Sequence, residues 1–234
     1  MYKIQDTGWI EVIAGPMFSG KSTELIRRLE RSEIAGEKTI AFKPTTDTRS
    51  ADNYIEDRNG GKVKAIRVED TDDLIDKLPI KVIPMADSRA KDVNLAKIEH
   101  LDFDVIAIDE VQFMDNKIIK LCDKLANSGK RVIVSGLDLD FMGDKFEIIS
   151  DLISKAEYID IIKAVCSYCG NPASYTQKYI DGKPVTDGER IEVGDSEKYK
   201  AVCRKCFEVK EEIGRKAVSD KDNMRFVLNL KEVL

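Results

Sequence analysis

Gly15-Pro16-Met17-Phe18-Ser19-Gly20-Lys21-Ser22 fits the spacing G-x-x-x-x-G-K-[ST], and no other stretch of the chain restricts its fold as strongly. A phosphate-binding loop of this kind needs a buried strand before it and a helix after it. Its glycines let successive backbone N–H groups turn inward on a phosphate, at the positive end of the following helix. The flanks meet that demand. Trp9 to Ala14 (WIEVIA) is a short apolar run rich in β-branched residues, and Lys21 to Ala35 carries Leu25, Ile26 and Leu29 on one side. In such a loop Lys21 reaches the β- and γ-phosphates of a nucleotide, and the Ser22 hydroxyl ligates Mg2+. The bland alternative, a glycine-containing surface turn, leaves this context unexplained.

Further along, apolar strands and helical stretches alternate. Lys38 to Lys43 reads as a strand ended by Pro44, which cannot donate to a ladder. Residues 45–64 read as a mobile loop or short hairpin, Asp72 to Leu78 as a short helix and Lys81 to Met85 as a strand. Asp104 to Asp109 is a buried strand, Lys117 to Ser128 an amphipathic helix closed by Gly129, and Arg131 to Ser135 another strand. Residues 146–159 return to helix, and Ile161 to Val165 is the last apolar strand. Alternation of this kind predicts an α/β fold, a P-loop (RecA-like) domain with a mainly parallel sheet. Composition shifts at Cys166, so the expected division is a nucleotide-binding domain over 1–164, a small lobe over 165–207 and a charged extension over 208–234.

The 234 residues carry 38 Lys and Arg against 43 Asp and Glu, a net charge of −5. An acidic balance argues against a broad nucleic-acid or anionic-membrane footprint. No apolar run approaches the about 20 residues of a membrane span. The opening MYKIQDTGWIEVIAG carries no signal-peptide pattern, so a soluble cytoplasmic protein is expected.

Asp109-Glu110 closes the apolar run Val105–Ile108, at the strand end where α/β sheets bind ligands. An Asp there holds Mg2+ directly or through water. Glu110 is free to accept a proton from a nucleophile approaching the γ-phosphate, which is either water or a substrate hydroxyl. A plain helix N-cap pair is the competing reading. Cys166-Ser-Tyr-Cys169 and Cys203-Arg-Lys-Cys206 form two C-x-x-C pairs with 33 residues between them. In a reducing cytosol this suggests a tetrahedral Zn2+ site before a disulfide or redox pair. Four thiolates leave no open position, so the zinc is expected to be structural, tying a long zinc-ribbon-like lobe at its base.

Other residues are ambiguous on their own. Arg49 is either a solvated loop arginine or a cation for the transferring phosphoryl group. Tyr175, Tyr179 and Tyr199 fit lobe packing better than base stacking, and Phe113, Phe141 and Phe146 fit a core better than a ligand slot. His100 reads as a surface loop residue, Cys122 as a small core residue, and Arg27, Arg28 and Arg31 as a solvated helix face.

Together, Gly15 to Leu25, Asp109-Glu-Val-Gln-Phe113, Gly136-Leu-Asp-Leu-Asp-Phe141 and the cysteine pairs resemble the zinc-containing, cellular type of thymidine kinase, over about residues 8–207. The Pro-Met-Phe loop interior is much narrower than the general P-loop pattern. The resemblance implies transfer of phosphate from ATP, with Mg2+, to the 5′-hydroxyl of thymidine and less specifically of deoxyuridine. It also implies a lobe, called a lasso, that closes over the base, a homotetramer, and inhibition by dTTP. Carried onto this sequence, Glu110 matches the general base, with Lys21 and Arg49 as its catalytic companions. Gly15 to Ser22, Asp47, Thr48, Arg49, Asp109, Glu110, Val111 and Gln112 match the ATP site. Phe141 matches a nucleoside-contacting aromatic, and Met17, Phe113 and Phe146 resemble residues around base and sugar. Arg190, Ile191, Glu192, Val193, Gly194 and Tyr199 match the lasso's substrate segment, and Thr176 a contact nearby. Met142, Glu147 and Asp195 depart from the family's commoner Arg, Gly and Gly.

A mechanical or regulatory ATPase, with Glu110 activating water and the zinc lobe touching a macromolecule, is the alternative enzyme. The loop interior and the aromatic lobe favour a small substrate over it. A non-enzymatic zinc-ribbon module would leave the P-loop and Asp109-Glu110 without a use.

Overall fold

Runs such as Val105–Ile108 and Val132–Val134 present no polar face to water, and strands of that kind are stable only with helices on both sides of their sheet. The computed structural model, which describes residues 7–47, 53–79, 81–84, 96–99, 101–186, 188 and 198–208, has that arrangement. In chain order its elements are β1 (Trp9–Ala14), α1 (Lys21–Ile34), β2 (Thr39–Pro44), β3 (Tyr54–Glu56), β4 (Lys62–Lys64), β5 (Ile66–Val68), α2 (Thr71–Lys77), β6 (Lys81–Pro84), β7 (Ala96–Glu99) and β8 (Val105–Ile108). There follow a 3-10 turn (Val111–Phe113), α3 (Lys117–Asn127), β9 (Arg131–Gly136), α4 (Glu147–Lys155) and β10 (Tyr158–Ile161). The remaining strands are β11 (Ala164–Val165), β12 (Pro172–Ala173), β13 (Tyr175–Ile180), β14 (Lys183–Val185) and β15 (Tyr199–Val202).

Six strands form one sheet in the order β10-β1-β9-β8-β2-β5, every neighbouring pair parallel. Side chains alternate across it with period two. Ile10, Val12 and Ala14 of β1, with Ile106 and Ile108 of β8, point to one face, where Leu74 of α2, Leu121 and Leu125 of α3 and Ile149 and Leu152 of α4 cover them. Ile13, Val105, Ala107 and Ile133 point to the other, under Leu25, Ile26 and Leu29 of α1. The expected α/β fold is therefore present, with both faces of its parallel sheet covered.

Four local expectations change. β2 includes Pro44, which is tolerated because pairing to β8 ends at Phe42, so the missing N–H has no ladder partner to disappoint. The three-residue β5 forms the far edge of the sheet and is too short to announce itself by periodicity. α4 stops at Lys155 and the last sheet strand is Tyr158–Ile161, in register with Glu11 to Ala14 of β1. Ala164–Val165 pairs instead with Pro172–Ala173 in the C-terminal lobe. Arg28 is buried, not solvated; it reaches Glu11, Glu24 and Asp160.

The 54–64 stretch is a hairpin. Asp57 accepts the N–H groups of Asn59 and Gly61 at 2.9 and 2.8 Å to shape its turn. The lobe holds the β11–β12 pair, the sheet β14-β13-β15, and a small apolar cluster of Ala164, Ala173, Tyr175, Ala201 and Val202 around Cys166 and Cys203. Tyr175 stacks on Phe207, and Tyr179 and Tyr199 are also buried, so these tyrosines do pack the lobe. Cys122 is a buried core thiol, pushed up to about 12 by desolvation. Thr48, Arg49, His100 and the segment Arg190, Ile191, Glu192, Val193, Gly194 lie outside the described residues, as does 209–234.

Candidate functional site

β1 delivers Gly15 to the C-terminal edge of the sheet, and the chain turns there into α1. Gly15 has φ 147°, and a Cβ on it would stand 2.2 Å from the Ile162 carbonyl oxygen, so no side chain fits. Phe18 and Gly20 are also left-handed, at φ 67° and 89°. Alternation of this kind turns backbone N–H groups to one side, as an anion-binding loop requires. Within the loop, Ser19 Oγ and Lys21 Nζ both donate to the Pro16 carbonyl, at 2.9 and 2.8 Å. Lys21 is buried, so its ammonium is kept inside the loop rather than in solvent.

The neighbouring strands bring the carboxylates. Phe42↔Ile108 and Ile108↔Val134 are in register, so Asp109 emerges beside Ser135 and across from the start of α1. Ser22 Oγ donates to Asp109 Oδ2 at 3.3 Å, and Ser135 Oγ donates to Asp109 Oδ1. Oδ1 also takes the Glu110 N–H at 3.0 Å. Glu110 is buried with a left-handed backbone, φ 50°, and its Oε2 accepts from Gln112 Nε2 at 2.5 Å. The other end of that amide, Gln112 Oε1, takes the Leu137 N–H at 3.0 Å. Val111 is buried beneath, in the core. Asp138 lies nearby. Burial pushes its carboxyl above the usual range, and Lys21 and Lys163 pull against that shift.

Asp47 is buried just past β2, its N–H donating to the Pro44 carbonyl at 3.1 Å. The lobe meets the loop directly: the Met17 N–H donates to Thr176 Oγ1 at 2.9 Å. Phe141 is buried with the Lys178 ammonium 5.0 Å from its ring centroid, and Lys178 pairs in register with Tyr199. Loop, Asp109-Glu110 and Thr176 are thus brought together. Phe146 instead packs into the core at the start of α4, with Ile148 and Ile149, and Phe113 is half-buried after the 3-10 turn.

Sequence reasoning missed Ser135 and Lys178. A serine closing an apolar strand is visible in the sequence, but only the β8–β9 register places it against Asp109. Lys178 carries no signal beyond its alternation with Thr176 on β13.

The four lobe cysteines have their sulfurs within 4.8 Å of one another, Cys169 Sγ lying 3.5 Å from Cys203 Sγ and 3.7 Å from Cys206 Sγ. Thiolates 2.3 Å from a tetrahedral metal stand about 3.8 Å apart, so the cluster fits a metal such as zinc. Burial raises the Cys166 thiol, but backbone amides of Cys203, Tyr168 and Cys169 outweigh it and bring the group down to about 6, toward the thiolate a metal needs.

A strand–loop–helix shaped to turn its amides on an anion, paired carboxylates at the end of the next strand but one, and a four-cysteine lobe touching the loop stand together here. The family model described as thymidine kinase matches residues 8–207, spanning both the sheet and the lobe. The chain belongs to the thymidine kinase family.

Proposed function

We propose that the chain transfers the γ-phosphoryl group of ATP to the 5′-hydroxyl of thymidine, and with lower preference of deoxyuridine, giving dTMP and ADP for nucleotide salvage. The observation that carries this reading is the meeting of Ser22, Asp109 and Glu110 at the mouth of the phosphate loop. The loop N–H groups from Phe18 to Ser22 receive the phosphates, since Pro16 has none and that of Met17 is on Thr176 Oγ1. Lys21, which donates to the Pro16 carbonyl, turns to an anionic phosphate oxygen, a stronger acceptor than that carbonyl. Ser22 and Asp109 would hold Mg2+, which neutralises charge on the phosphates. Arg49, with Asp47 and Thr48, adds cationic and polar contacts on the ATP side.

Glu110 accepts the proton of the attacking 5′-hydroxyl. Gln112 holds one carboxylate oxygen and thereby aims the other. Phe141, Tyr199, Thr176 and Met17 bound the nucleoside, with Phe113 and Phe146 contributing from the core side and Arg190–Gly194 covering the base. A neutral base is read well by such a lobe, which excludes water as it closes. Cys166, Cys169, Cys203 and Cys206 hold a structural Zn2+.

We further infer a cytoplasmic homotetramer inhibited by dTTP. No described helix is long and apolar enough to cross a membrane. The outer edge strand β10 exposes Tyr158, Ile159 and Ile161, and no described strand pairs with its free side, which supports association through apolar surface.

The test is a panel of nucleosides with ATP and Mg2+, with dTTP as competitor and light scattering on the same preparation. Equal amounts of ADP and dTMP, suppressed by dTTP, are expected from a particle of about four times the 26.4 kDa chain mass. ATP consumption without nucleoside phosphorylation would overturn the kinase in favour of the ATPase, and a monomer would overturn the assembly.

A further inference from the structure

The β3–β4 hairpin lies outside every role assigned above, yet two contacts tie it to the phosphate loop. Burial raises the carboxyl of Asp57, at the head of its turn, and the nearby hydroxyl of Thr23, the residue after Ser22, with the N–H groups of the turn more than reverses that shift. The Arg58 guanidinium stands 4.2 Å from the centroid of the Phe18 ring. Phe18 is the bulky residue of the loop that takes a left-handed backbone, and the apolar cluster of the cysteine lobe also packs against it. An aromatic residue stays in that region of backbone space only when its surroundings hold it there. The ring is held by two neighbours: the lobe, and a planar cation on the hairpin. Rotation of Phe18 about its backbone would swing the N–H of Ser19, one of the amides aimed at the phosphates.

We propose that Arg58 is a positioning residue for nucleotide binding, keeping the phosphate loop in its anion-binding shape by stacking on Phe18. This rests on the reading of the loop as an ATP site. Arg58 is exposed, and Asp57 orders the turn that carries it through the N–H groups of Asn59 and Gly61. A guanidinium stacks on a ring as a flat plate, which an ammonium does not reproduce.

ATP affinity measured by calorimetry, with steady-state KM for ATP and thymidine, tests this on the full chain. Arg58→Ala is expected to weaken ATP about two- to fivefold, the scale of an exposed cation–π contact, and to leave the thymidine KM unchanged. Arg58→Lys should recover part of that loss. In a Phe18→Leu background Arg58→Ala should add nothing further, since the two residues act as one unit. Unchanged ATP affinity in Arg58→Ala, an equal loss for thymidine, or a full loss in the Phe18→Leu background would each overturn the proposal. A wild-type chain that binds no ATP would overturn the nucleotide reading instead.

Discussion

Glu110 sits where a side chain has least freedom to wander. Its left-handed backbone, which costs of order 1–3 kcal/mol for a residue with a Cβ, is compensated by its N–H on Asp109 and its carboxylate on Gln112. Strain retained at the mouth of a phosphate loop fits a group that must meet a hydroxyl in one orientation. Glu110→Gln keeps the size and loses the proton acceptor. It is expected to lower kcat roughly 10²–10⁴-fold while ATP affinity, set by the loop, stays nearly the same. Steady-state assays with an ATP titration check both halves, and an unchanged kcat would remove Glu110 from the chemistry. The loop and Asp109-Glu110 were legible in the sequence because local spacing and a strand end define them. Ser135 and the two-ended grip of Gln112 were not, since each depends on which strands lie side by side.

At the scale of elements, the same limit explains Arg28. A charged run on a helix ordinarily marks the solvated face, and Arg27 and Arg31 are exposed. Arg28 turns inward because β1 places Glu11 on the face of the sheet that α1 covers, and Arg131 of β9 joins them. A carboxylate in a buried strand needed cationic partners, but the sequence does not say from which element they come. Burial raises the Glu11 carboxyl, and hydrogen bonds from Arg131 and Trp9 with the charges of Arg131 and Arg28 more than reverse it. Glu24 is held down to about 2 by its hydrogen bond to Arg27, with Arg28 assisting. Both groups have folded values below their ordinary 4.5, so the folded chain binds fewer protons than the unfolded chain. Their stabilisation is complete above about pH 4.5 and is lost as pH falls below it, for Glu24 toward about 2. Urea unfolding at pH 6, 4 and 3 should show that loss, and Glu24→Gln should shrink it. A Glu24→Gln profile parallel to wild type would sink the assignment. Arg28→Ala should cost about 1–3 kcal/mol at pH 7, since Glu11 loses one of its two arginines.

Across the whole molecule, the boundary expected after residue 164 is a change of composition rather than a break in contact. The lobe's cluster takes in Phe18 from the phosphate loop, and Thr176 holds the Met17 N–H, so lobe and loop share one interface. Their means of support differ. The sheet has a large apolar cluster on each face, whereas the lobe has a handful of small residues and tyrosines around two of its cysteines. A core that small does not offset the chain entropy of some 40 residues, at about 1–2 kcal/mol each for the backbone alone. A structural zinc site contributes an apparent 10–16 kcal/mol at neutral pH, enough to decide whether the lobe folds. Metal analysis should therefore find about one zinc per chain. Stripping it with a strong chelator, or Cys203→Ser, should expose the lobe to protease and abolish thymidine binding, while far-ultraviolet circular dichroism keeps most of the helical signal of α1, α3 and α4. ATP affinity should fall too, because Thr176 and the apolar packing of Phe18 leave the loop with the lobe. A metal-free preparation that still binds thymidine, or one in which the sheet domain melts with the lobe, would contradict this division of support.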